Sequence, residues 1–88
     1  MVSAKVIINN PQGLHARPAG IVAKAASKCS SDTFLIHDNK RVQMKSILNI
    51  MAAALKFGTE IEIECTGETE QADLEKLVSV FENDIKNL

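Results

Sequence analysis

The sequence predicts an α+β fold: an open-faced β-sandwich of order βαββαβα, with a four-stranded antiparallel sheet covered on one face by helices. Three observations lead there. Glu60-Ile61-Glu62-Ile63-Glu64-Cys65 alternates acid with apolar, the pattern of a strand with one wet face. Two longer segments each carry one apolar stripe at helical spacing. Short turn signals separate the elements, with no repeat, low-complexity stretch or linker between them. The strands need a cover and the one-sided helices supply it. The 88 residues are expected to form one domain spanning 1–88, and 45% hydrophobic with 24% charged residues fits a globular chain. The order of strands within the sheet is not encoded in these local signals.

Lys5-Val6-Ile7-Ile8 is rich in β-branched residues and reads as the first strand. Asn9-Asn10-Pro11-Gln12-Gly13 is a loop by its turn residues. The first helix runs from Ala16 to about Lys28, with Ala19, Val22, Ala23 and Ala26 on one face. Leu14 and Ala19 occupy the positions of a hydrophobic staple. Thr33-Phe34-Leu35-Ile36-His37 is the second strand, and Asp38-Asn39 turns it back into a short third strand, Lys40 to Gln43. Ser46 is the expected N-cap of a short helix extending to Leu55, with Gly58 ending the segment in left-handed geometry. Glu60 to Cys65 is the fourth strand, its glutamates expected to face water, and Gly67 turns the chain. The last helix spans about Glu70 to Lys86, with Leu74, Leu77, Val78, Phe81 and Ile85 inward.

Chemistry concentrates in Gly13-Leu14-His15-Ala16-Arg17-Pro18-Ala19. Pro18 has a fixed φ and no N–H, so it belongs in the first turn of a helix. That makes His15 the N-cap, with Ala16, Arg17 and Pro18 as the first turn. The first N–H groups of a helix lack partners inside it, and the dipole adds partial positive charge. Such an end receives phosphate. A nucleophilic imidazole, the guanidinium of Arg17 and the backbone N–H groups of Ala16 and Arg17 therefore converge, the constellation of a histidine that carries a phosphoryl group. A purely capping role is the alternative, but histidine is not a preferred cap.

The remaining composition narrows the function classes. The net charge of −1 argues against nucleic acid as a partner. No apolar run is long enough to span a bilayer and the N-terminus lacks a signal-peptide pattern, so membrane insertion is not expected. Cys29 and Cys65 do not make a disulfide framework; both are expected to be reduced, which fits the cytoplasm. Neither has metal-ligand spacing to His15 or His37, so no metal site and no cofactor are expected. His37 reads as a surface residue at a strand end, Cys29 as a helix-end residue and Cys65 as a core residue. Hydrolysis of acyl phosphates would need a positioned water and a base or amide partner beside the arginine, and no such set is present.

Nearly the whole chain resembles the HPr family, the histidine-containing phosphocarrier proteins of the bacterial phosphoenolpyruvate-dependent sugar phosphotransferase system. Gly13 to Ala19 is similar to the family's phosphohistidine motif. Lys45-Ser46-Ile47-Leu48-Asn49-Ile50-Met51 is similar to its regulatory serine motif, at the expected distance downstream. The resemblance implies a non-enzymatic, stoichiometric carrier that accepts a phosphoryl group on His15, through Nδ1, from phosphorylated enzyme I. It passes the group to IIA domains of sugar permeases. In many Gram-positive relatives the serine corresponding to Ser46 is phosphorylated by an ATP-dependent kinase, which implies that HPr kinase/phosphorylase and a catabolite-control transcription factor are further partners. Relatives that act only through the phosphoserine lack the active histidine, and His15 is present here. Gly20 departs from many relatives, which carry a side chain there.

The short helix is expected to divide its side chains. Ile50 and Ala54 point inward, Leu48 and Met51 outward as a docking patch, with Ile47 between them. Met suits a surface that meets several partners. Gly20 and Lys24 extend the expected docking surface, and Lys24, Lys28 and Lys45 form a positive rim for acidic partners. A monomer is expected.

Overall fold

A computed structural model describes all residues, 1–88. Strand β1 is Val2–Ile7, helix α1 Ala16–Ser27, β2 Asp32–His37, β3 Lys40–Gln43, α2 Ile47–Ala52, β4 Glu60–Thr66 and α3 Glu70–Ser79; one π-helical turn, Val80–Asp84, continues from α3. The strands form one antiparallel sheet in the order β1-β4-β2-β3. Ala4, Ile63, Leu35 and Val42 lie side by side in the register and point to the covered face, as do Val6 with Ile61 and Cys65 with Thr33. Helix α1 packs Ala19, Val22, Ala23 and Ala26 inward, and the C-terminal segment packs Leu74, Leu77, Phe81 and Ile85. Burying each of the larger of these side chains stabilises by roughly 1.5–3 kcal/mol.

The sheet begins earlier than its β-branched run. Val2-Ser3-Ala4 is extended because each residue pairs with β4, from Val2 opposite Cys65 to Ile7 opposite Glu60. Ile8 leaves the strand yet stays fully buried, its N–H bonded to Thr59 O at 2.8 Å. The Asp38-Asn39 turn forms as expected, with φ of 53° and 64°. The last helix is α-helical only to Ser79. Its π turn, closed by Ile85 N to Val80 O at 3.1 Å, buries Val80 as well as Phe81.

Two expectations about the sheet and α2 fail. Glu64 does not face water: it is only 7% exposed, because the Arg41 guanidinium pairs with it at 2.7 Å while lying over the Phe34 ring, 4.4 Å from its centroid. Helix α2 ends at Ala52, and the left-handed residue that stops it is Ala54, at φ 52°, with its N–H on Met51 O at 3.1 Å. Ala54 is exposed rather than inward, and Leu55 takes the buried place. Gly58 is also left-handed, at φ 86°, but lies beyond the helix end.

Asp73 pins the start of β2 to α3. It is buried and accepts from Ser31 N at 3.1 Å, Ser31 Oγ at 2.6 Å and Thr69 Oγ1 at 2.8 Å. The Ser31 hydroxyl above all holds its carboxyl below the usual range, against the opposing effect of burial. Its stabilisation is complete above the unfolded carboxylate value of about 4 and is lost as pH falls through the lower folded value. Burial pushes both thiols up, Cys65 to about 11, and both cysteines are free and buried.

Two opposite glycine changes are expected to stabilise the fold. A Cβ at Gly20 meets nothing within 4 Å in mid-helix, so Gly20→Ala gains about 0.5–1 kcal/mol from reduced chain entropy. Ala54→Gly removes the left-handed penalty of a Cβ and gains a similar amount, about 0.5–1 kcal/mol. Thermal unfolding checks both, and a lowered melting temperature in either contradicts the corresponding argument.

Candidate functional site

The loop between β1 and α1 is held from three directions. Gly13 N donates to Asn10 O at 3.0 Å, Asn10 Nδ2 donates to Gly13 O, and Leu14 N donates to Leu55 O at 2.9 Å. Gly13 sits at φ 71°, and a Cβ there would stand 2.5 Å from Leu55 O. Only glycine fits both the backbone conformation and the space. This contact sets the loop against the chain that leaves α2. Leu14 and Ala19, the staple pair, are both buried in the core.

His15 follows as the N-cap of α1, with extended backbone at φ −81° and ψ −168°. Its carbonyl accepts from Ala19 N at 3.0 Å and its own N–H reaches Gly13 O at 3.1 Å. The imidazole makes no capping hydrogen bond, so the ring is not spent on the helix. The side chain is half-buried, and Nε2 of its ring is buried without a partner. Pro18 has no N–H, so the amides of Ala16 and Arg17 are the free donors at this end of α1, and neither donates to a protein acceptor. Arg17 is exposed and pairs with no carboxylate. The arrangement therefore offers a half-buried imidazole not spent on capping, two free amides and one uncommitted guanidinium. Together these can take up a tetrahedral dianion and stabilise its charge.

Ser46 caps α2 as expected: its Oγ accepts from Asn49 N at 3.2 Å and its carbonyl from Ile50 N at 3.1 Å. Ile50 is fully buried while Ile47, Leu48 and Met51 are 44%, 80% and 42% exposed. Ile47 thus joins the outer face rather than lying between faces. Helices α1 and α2 pack against each other, with Lys24 exposed and Gly20 half-buried on α1. Lys28 and Lys45 are exposed, and His37 is half-buried at the end of β2. No three His, Cys, Asp or Glu side chains approach closely enough to hold a metal ion, and no helix is long and apolar enough to cross a membrane.

Three residues around this site escape sequence reasoning. Asn10 is wholly buried although it stands among turn residues, and nothing local distinguishes it from exposed Asn9. Phe57 is a large apolar side chain left 61% exposed just past α2. Ala54 occupies a left-handed position where glycine would be the expected signal.

Comparison with known proteins follows the same lines. The family model of the PTS HPr component phosphorylation site matches residues 2–83. The HPr-like protein Crh of Bacillus subtilis (strain 168) is 40% identical over 85 residues, covering 97% of this chain and all of the relative. The phosphocarrier protein HPr of Treponema pallidum (strain Nichols) is 40% identical over 83 residues, 94% of each chain. The crystal structure of HPr-C-His from Thermoanaerobacter tengcongensis superposes with a TM-score of 0.93 at 34% identity, over 100% of this chain and 99% of that one.

Proposed function

Since this chain belongs to the PTS HPr family, we propose that His15 is its phosphoryl carrier, accepting the group from phosphorylated enzyme I and donating it to IIA domains of sugar permeases. The observation that carries the reading is the His15 imidazole, which makes no capping hydrogen bond, at a helix end with two free amides. The Nδ1 lone pair attacks phosphorus, a P–N bond forms, and the donor's bond to phosphorus breaks with its electron pair returning to the donor. The reverse step delivers the group to the acceptor. The chain is then a stoichiometric carrier in the cytoplasm rather than an enzyme, working as a single copy, needing no metal and no cofactor.

Arg17 supplies charge, not chemistry. Free of any ion pair, it can turn toward the phosphoryl oxygens. Arg17→Ala is expected to slow transfer roughly tenfold without removing it, since a charge-assisted hydrogen bond is worth about 1.5–3 kcal/mol and the two amides remain. Unchanged rates in both directions would make Arg17 a bystander.

Docking is assigned to Ile47, Leu48 and Met51 on α2, with Gly20 and Lys24 on α1, and regulation to Ser46. A phosphate at this N-cap keeps an oxygen for Asn49 N, so it acts on partner docking more than on folding. Ser46→Asp is expected to leave the melting temperature nearly constant, because Asp also caps well, while raising the KM with enzyme I about tenfold by placing a charge beside an apolar patch. A large thermal shift with an unchanged KM would leave Ser46 as a cap alone.

The full-length likeness to Crh favours a second reading, in which the chain acts mainly through phospho-Ser46, with the kinase and a catabolite-control transcription factor as partners. The reactive geometry at His15 supports the first. Labelling separates them: the carrier takes phosphate from phosphoenolpyruvate through enzyme I as an acid-labile, base-stable group, whereas the regulator takes it only from ATP as an acid-stable phosphoserine.

A further inference from the structure

We infer that Asn10 is a positioning residue for His15, acting through the carbonyl of Gly13; the inference rests on the carrier reading. Asn10 encloses the loop from both ends, its backbone O taking Gly13 N at 3.0 Å and its side-chain Nδ2 donating to Gly13 O. That same carbonyl accepts the N–H of His15 at 3.1 Å. The side-chain amide and the backbone of the carrier residue therefore share one acceptor, and the peptide that precedes the ring has one orientation. Pro11, with its fixed φ, stiffens the interval.

The burial of Asn10 argues that its donor end is the reason it is there. The residue has no exposed surface, and its Oδ1 is buried without any partner. A half-satisfied buried amide is unfavourable for the fold. An apolar side chain would leave no unpaired Oδ1, but it could not hold the Gly13 carbonyl. Asn10 thus trades stability for a fixed approach to His15. Misplacement of a reacting group by about 1 Å is enough to slow a transfer step.

The test is Asn10→Leu, which keeps the branched outline and the count of side-chain heavy atoms but lacks the donor, together with Asn10→Ala, in the full chain. Three quantities are measured: phosphoryl transfer from phosphorylated enzyme I, thermal unfolding, and the ring resonances of His15 in nitrogen-15-labelled protein. Asn10→Leu is expected to keep the KM for enzyme I, lose about tenfold in the limiting transfer rate, and shift or broaden the His15 ring signals. If Asn10→Leu does not fold, the same loss of rate at constant KM is expected of Asn10→Ala. A folded variant that transfers at the parent rate with its His15 resonances in place overturns the inference. So does a loss matched by Ile85→Val, a remote core change. If the parent protein itself takes no phosphate, the carrier reading fails, and the His15 resonances still decide whether Asn10 holds the ring.

Discussion

His15→Ala is expected to abolish phosphoryl transfer while leaving the fold and its stability nearly unchanged. The separation of the two effects follows from what the ring touches. Its imidazole makes no hydrogen bond to the helix it precedes, and the bonds that start α1 and close the loop are made by the His15 backbone, which alanine keeps. The side chain is half-buried and outside the core cluster, so its loss costs about 0.5–1 kcal/mol at most. Nothing nearby can substitute as nucleophile: Ser46 caps another helix, His37 lies at the far end of β2, and both thiols are buried and protonated. Transfer from phosphorylated enzyme I, measured alongside circular dichroism, checks both halves. Ordinary transfer by the folded variant would remove His15 from the reaction.

Gly13→Ala is expected to damage stability and transfer together. At φ 71° an alanine is strained, which costs about 1–2 kcal/mol. The added Cβ would lie 2.5 Å from Leu55 O and 3.0 Å from Lys56 Cα, and neither is a flexible side chain that could step aside. The loop must then move off the chain following α2, breaking Leu14 N to Leu55 O and carrying His15 with it. The combined loss is about 2–4 kcal/mol, roughly 10–20 °C in melting temperature for a chain of this size. Transfer by the folded fraction should fall at least about tenfold, because the free amides and the ring no longer share one geometry. A melting temperature within about 2 °C of the parent would mean that the close approach of Gly13 to Leu55 is not needed.

What was legible in the sequence was local. Gly13 to Ala19 announces a helix start with a histidine on it, and the structure has His15 as N-cap and Ala16 as first helical residue. Asp38-Asn39 announces a tight turn and forms one. Ser46 announces a cap and is one. What was hidden depends on residues distant along the chain. The order β1-β4-β2-β3 and the early start of β1 are set by pairing across more than fifty positions, from Val2 to Cys65. The burial of Glu64 on β4 depends on Phe34 from adjacent β2 and on Arg41 reaching across from β3, so alternation alone places it in water. Asn10 looks like a turn residue, and only the folded loop reveals that its amide faces inward onto Gly13. The inward stripe Leu74, Leu77, Phe81 and Ile85 was legible, whereas the π turn after Ser79, which buries Val80 as well, was not.

The central claim is that Nδ1 of His15 carries the phosphoryl group. Its most direct test is to incubate the full chain with phosphoenolpyruvate and enzyme I and to locate the phosphate by phosphorus and nitrogen-15 magnetic resonance. A single acid-labile, base-stable phosphoryl group bonded to Nδ1 of His15, removed on addition of an IIA domain, is the expected result. No incorporation, or phosphate found on His37, on Ser46 or on Nε2 of His15, would contradict it.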